Sequence, residues 1–142
     1  MKKRILFRTL ALMACLLCSL SGKARVLAYA IYTSEDSTLT FYYDANENGH
    51  GIYPCYMNYN ESEPDWHLYG YYNNIVKVVF DSSFVDARPA TTSKWFLDMR
   101  KLRTIEGLEY LNTSNVTTML SMFSTLPVLK LLTSRLVNFQ LR

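Results

Sequence analysis

The sequence predicts an α+β chain: a small N-terminal antiparallel β region followed by two to three coils of a repeat solenoid. Three observations predict it. An apolar leader opens the chain, residues 25–74 alternate aromatic and β-branched runs with turn-forming clusters, and residues 75–142 resemble themselves at an offset of 27.

The leader comes first because it decides where the folding chain begins. Lys2, Lys3, Arg4 and Arg8 form a basic start, residues 10–20 are almost wholly apolar, and residues 19–24 turn small and polar, the pattern of a secretory signal peptide over residues 1–24. Its apolar run falls well short of the roughly 20 residues that a spanning helix needs, and no later stretch reaches that length, so no membrane span is expected. A run apolar on all faces also argues against a buried amphipathic helix. Gly22 and Ala24 suit the −3 and −1 positions of a cleavage site, Ser19 and Ser21 offer a second pair, and Leu12-Met13-Ala14-Cys15 offers lipidation at Cys15 as a third route. The expected destination is outside the cell, secreted or at the cell surface.

Removing the leader changes the electrostatics. Of 15 basic residues the mature chain keeps ten, against all 12 acidic ones, a net charge of −2, so nucleic acid is not an expected partner. Cys15 and Cys18 leave with the leader, which keeps Cys55 alone, without an intramolecular disulfide and expected as a partly buried small apolar residue. What remains is enough for one domain with a modest core.

Residues 26–74 contain no Lys or Arg and seven acidic residues, while residues 75–142 hold nine basic and five acidic ones; ten of the 11 tyrosines lie between Tyr29 and Tyr72. The first region, residues 25–74, reads as β. Residues 28–33 and 38–43 are aromatic and β-branched, and Ser34-Glu35-Asp36-Ser37 between them is a turn cluster, which predicts a hairpin. A polar, glycine-bearing run over residues 44–51 leads to residues 52–59, where Pro54 predicts an edge strand, and residues 60–65 form another loop.

Sliding the second region by 27 residues superposes Ile75, Leu102 and Leu129, and likewise Val78, Ile105 and Leu132. Phe84 meets Leu111, Thr91 meets Thr118, Trp95 meets Met122, Phe96 meets Phe123 and Met99 meets Leu126. A period of this size is the mark of a solenoid whose apolar positions form a shared core. Leu102 to Asn112, with Leu108 and Leu111 at fixed spacing, approximates a leucine-rich frame. Ser114 or Asn115 can cap a helix over residues 116–124, with Val116, Met119, Met122 and Phe123 on one face, and that face is expected in the core.

These residues resemble a known family. Ile105-Glu106-Gly107-Leu108 with residues 111–119 and Met122-Phe123 is similar to the BspA-like leucine-rich repeats of surface proteins from host-associated bacteria, and Val78 to Phe84 with Trp95-Phe96 resembles a degenerate first repeat. The resemblance implies a leucine-rich-repeat solenoid, export and adhesion to host or bacterial proteins; it brings no catalytic residues. Family members continue through many repeats. Here Leu129-Lys130-Leu131-Leu132 starts a third coil, Arg135 stands where Leu108 stood one period earlier, and a truncated gene or a frameshift near Pro127 is expected. An incomplete last coil exposing Leu129, Leu131, Leu132, Leu136, Val137 and Phe139 predicts self-association.

Chemistry is sparse. No nucleophile elbow or phosphate-cradling glycine loop is present, and His50 and His67 stand 17 apart without a second ligand at metal spacing, so neither catalysis, cofactor nor metal is expected. Glu61/Glu63 and Glu106/Glu109 read as solvated charge, and the three Asn-x-Ser/Thr sequons as turns and caps. The expected function is protein binding or adhesion. A carbohydrate-binding module built on tyrosines such as Tyr42 and Tyr71, or a remnant without a function of its own, are the alternatives.

Overall fold

The alternation of large side chains produces two strands, β1 (Leu27–Thr33) and β2 (Thr38–Asp44), which pair antiparallel with Tyr29 opposite Tyr42 and Ala30 opposite Phe41. A computed structural model describes residues 25–51, 54–57 and 63–126. In the connecting turn, Asp36 Oδ1 accepts the Thr38 amide at 3.2 Å and Ser37 takes a left-handed φ of 55°. A one-turn helix α1 (Glu47–His50) leads to β3 (Pro54–Tyr56), antiparallel to the outer side of β1. Pro54 opens this edge strand, where its missing N–H is tolerated. A second single turn, α2 (Asp65–Leu68), and a 3-10 turn (Tyr71–Asn73) bring the chain back to β4 (Lys77–Phe80), which pairs parallel to β2. After a 3-10 turn (Ser82–Asp86) and a run of tight turns, β5 (Thr104–Glu106) pairs parallel to β4. The result is one five-stranded mixed sheet in the order β3-β1-β2-β4-β5.

The two-residue period of the strands sorts side chains between the faces. Ala30, Leu39, Phe41, Cys55, Val78 and Phe80 point to one face, where Trp66, Ile75, Phe84, Trp95, Phe96 and Met99 complete a single buried cluster. Phe41 sits at its centre. Its ring stacks on Phe80 at 4.6 Å and on Trp95 at 5.2 Å, and meets Trp66 and Phe84 edge-on at 5.3 and 5.7 Å. Trp66 is fully buried, and its indole N–H is satisfied by the Trp95 carbonyl at 2.8 Å.

The 27-residue offset appears as a pairing register. Val78 stands opposite Ile105, and Thr91 forms a parallel bridge to Thr118. Past that bridge the amides of Lys94, Phe96 and Asp98 donate to the carbonyls of Leu120, Met122 and Ser124 at 2.9, 3.0 and 3.2 Å. Left-handed φ values recur at the same offset, 61° at Lys94 and 56° at Ser121, then 55° at Asp98 and 66° at Thr125. One sequence of turns is built twice and laid side by side.

This architecture overturns the expected leucine-rich-repeat solenoid. The described residues form an open mixed sheet with two one-turn helices. Two physical reasons account for the difference. The parallel strands do not start a separate stack: β4 pairs directly with β2, so aromatic residues from both sides of Asn74 share one core. The expected helix over residues 116–124 is a series of tight turns, because left-handed Ser121 interrupts any α-helical ladder there and left-handed Thr125 follows directly after the segment. That turn path also swings Met119, expected in the core, outward to 41% exposure, whereas Met122 stays buried. The leader, Leu129 and Leu132, and the apolar patch expected near the C-terminus lie outside the described residues.

Two substitutions test this packing. Phe41→Ala removes the ring that five other aromatic side chains touch, and urea unfolding should report a loss of about 3–5 kcal/mol; a loss under about 1 kcal/mol would contradict the central role given to it. Gly107 has φ +67°, and an added Cβ would lie 2.2 Å from the Phe80 carbonyl oxygen, whereas Gly70, at φ +74°, has open space around it. Gly70→Ala should therefore cost only the left-handed penalty of roughly 1–2 kcal/mol. Gly107→Ala should cost clearly more, and equal losses would refute the backbone contact.

Candidate functional site

The face of β1 and β2 opposite the core is where polar chemistry gathers. Strand register sets Tyr29 beside Tyr42, ring centroids 5.6 Å apart, with Tyr56 of β3 on the other flank. Asp44 ends β2, and the chain then turns back so that α1 lies over this face. Three donors converge on the Asp44 carboxylate: the Tyr29 hydroxyl at 2.6 Å and the Asn46 amide at 2.8 Å on Oδ1, and His50 Nε2 at 2.9 Å on Oδ2. The His50 ring stacks on Tyr42 at 3.9 Å with 10° between planes, and the Tyr56 hydroxyl donates to Glu47 Oε2 at 3.0 Å.

Electrostatics follow from these partners. Burial would push Asp44 up, but the hydrogen bonds from Tyr29, Asn46 and His50 outweigh it and hold the carboxyl below its ordinary range. Burial and the hydrogen bond to Asp44 push the Tyr29 phenol far up, and burial also raises Tyr42. Tyr29 is therefore a fixed neutral donor. The carboxylate lies between phenol and imidazole and binds both, so the constellation is a clip that fastens α1 to the sheet, with the imidazole's position fixed from one side.

Beside the clip lies a half-open cleft of about 350 Å³. Its walls are Ile31, Tyr32 and Thr33 from the end of β1, Ser34 and Glu35 from the turn, His50 and Gly51 from the end of α1, and Tyr71. Tyr32 and Tyr71 stack at 4.7 Å, with Tyr69 tilted against Tyr71 at 5.7 Å. Gly51 keeps the wall close: a Cβ there would lie 2.8 Å from Ile31 Cγ2. Asp36 is engaged by the Thr38 amide, whereas Glu35 contacts the neighbouring Ser34 hydroxyl at 3.4 Å.

His67 occupies a different position, on the core side. It is 8% exposed, stacked on Tyr72 at 4.6 Å with 3° between planes, and its Nε2 has no hydrogen-bond partner among the described residues. Burial pushes its pKa down, against the opposing pull of Glu63, the Leu97 carbonyl and Asp98; Lys94 adds to the depression. Cys55 is also fully buried, its thiol pushed up to about 12 by burial and Asp65, which describes an inert core group. Among the described residues no group of three or more His, Cys, Asp or Glu could hold a metal ion, and no helix is long and apolar enough to cross a membrane.

The residues expected to form a repeat core divide plainly. Ile75, Val78, Phe84, Trp95, Phe96, Leu102, Leu111 and Met122 are buried together, Ile105, Leu108 and Phe123 pack against them half-buried, and Met119 faces solvent. Of the two tyrosines singled out for sugar stacking, Tyr42 has one face under His50 and Tyr71 walls the cleft. The clip of Tyr29, Asp44 and His50 was not foreseen. Its one sequence signal is an acidic residue closing a strand six positions before a histidine, across a run of turn formers. Comparison of the chain with protein-family models, curated sequences and solved structures finds no match.

Burial of His67 fixes a pH dependence. Above its ordinary value near 6.5 the imidazole is neutral in both folded and unfolded chains, and stability is at its plateau. As pH falls from that value toward the lower native one, the unfolded chain binds a proton that the folded chain resists, so stability declines. His67→Gln keeps a hydrogen-bonding side chain and removes the titration. Urea midpoints between pH 7.5 and 5 should fall for the native sequence and flatten for the variant; parallel slopes would show that His67 is not the titrating group.

Proposed function

We propose that the chain is an exported binding module that engages a protein ligand through the acidic, tyrosine-rich end of its sheet. The observation that carries this reading is the cleft itself. It combines stacked tyrosines with the Glu35 carboxylate, in a region, residues 26–74, that contains no Lys or Arg. Aromatic rings with polar rims and little conformational freedom suit recognition of another protein. The clip at Asp44 supports the reading by fixing one wall before any ligand arrives, which lowers the ordering cost of binding. The leader over residues 1–24 supports export, and the resemblance of Ile105 to Phe123 to BspA-like surface proteins of host-associated bacteria supports an adhesive role.

Carbohydrate binding is a second reading. Its specific observation is Tyr71 on the cleft wall, where an aromatic face and neighbouring hydroxyls suit a sugar ring.

One comparison tests both. The full chain, produced with its leader and collected from the medium or cell surface of a bacterial host, is presented to a peptide array and to a glycan array. Peptide binding that weakens at least about tenfold in Tyr71→Ala, a loss of roughly 1.4 kcal/mol, supports the protein-ligand reading. Glycan binding lost in the same variant replaces it with the carbohydrate reading. Silence on both arrays, or retention of the whole chain in the cytoplasm, would reject the proposal.

A further inference from the structure

The walls of the cleft restrict the chemistry of what enters. Anions are disfavoured, because Glu35 lines the cleft and its one cation-capable group, His50, is already bound by Asp44. A purely apolar group would make no use of the Glu35 carboxylate on the cleft's rim. A group that is flat, cationic and rich in donors suits both features of the lining, the Tyr32/Tyr71 aromatic pair and the Glu35 carboxylate.

We infer that the cleft between the β1–β2 turn and α1 is a guanidinium site, which receives one arginine side chain of a peptide ligand. The inference rests on the protein-ligand reading above and names the chemical group recognised. Glu35 supplies the counter-charge as an acceptor for the guanidinium fork. Tyr32 and Tyr71, stacked at 4.7 Å, supply a surface for cation–π and planar stacking. Of the two carboxylates of the turn, Glu35 lines the cleft and Asp36 does not, which makes Glu35 the working one. A volume of about 350 Å³ stands at the lower end of the range for ligand pockets, roughly 300–1,000 Å³, enough for one extended side chain. An ammonium satisfies the charge requirement without the flat fit, so lysine binds more weakly. The site is open and its carboxylate exposed, so one arginine alone binds weakly and salt weakens it further.

The test uses the full chain and two blocked peptides, one containing arginine and the other citrulline, its uncharged near-isostere. Amide chemical shifts are followed by NMR during titration. The arginine peptide should shift Tyr32, Ser34, Glu35 and Tyr71, and the citrulline peptide should bind at least about tenfold more weakly. Glu35→Gln, in an exposed turn, should abolish most of that preference while the rest of the spectrum stays unchanged; Asp86→Asn, on the turn after β4, should leave it intact. Equal affinity for arginine and citrulline, or shifts clustered away from the cleft, overturns the inference. If a peptide binds at this end of the sheet indifferently to Glu35→Gln, the guanidinium assignment fails and the protein-ligand reading stands. If neither peptide shifts the cleft and glycans do, both fail.

Discussion

The structure depends on Phe41. This ring belongs to β2, the strand shared by an antiparallel pair on one side and a parallel pair on the other, and it touches Trp66 of α2, Phe80 of β4, Phe84 of the following 3-10 turn and Trp95 of the turns beyond it. Because β2 bonds to both β1 and β4, residues before and after Asn74 cannot form separate cores. The aromatic cluster then fixes what remains. It holds Trp66, on a helix too short to be stable by itself, and orients Trp95 on a run of turns that has no regular ladder within itself. Side-chain packing here replaces the backbone regularity that longer elements would have supplied.

Parts of this arrangement are legible in the sequence for definable reasons. The first two strands are, since residues 28–33 and 38–43 match β1 and β2 to within one residue and the Ser34 to Ser37 cluster turns between them. The offset between Val78 and Ile105 is also legible, because like side chains in parallel neighbours leave a direct trace. What misleads is the step from offset to architecture. Apolar residues at spacings of three and four fit a helix, but consecutive tight turns bring the same residues to one side, and the distinguishing left-handed positions are Ser121 and Thr125, with no glycine to mark them. Parallel pairing of β2 with β4 joins residues about 39 apart, as in Leu39 with Val78, and no local pattern announces it.

The candidate site was harder to read for a related reason. Tyrosine abundance in residues 29–72 is visible at once, but the strand period divides those rings between two environments, and only the pairing register says which go where. Tyr29 becomes an internal donor, Tyr42 a platform for His50, and Tyr32 and Tyr71 a wall. His50 and His67 look alike in sequence, each within a loop-like stretch. One is bound at the surface by a carboxylate, and the other is enclosed against Tyr72.

The contact between Trp66 and Trp95 has an optical consequence. These are the two tryptophans of the chain, one contributed from each side of Asn74, and the indole of the first is hydrogen-bonded to the backbone of the second. Their emission is therefore a joint signal: neither flank of the chain can loosen without altering the surroundings of both chromophores. Tryptophan light from this protein records the seam between its halves.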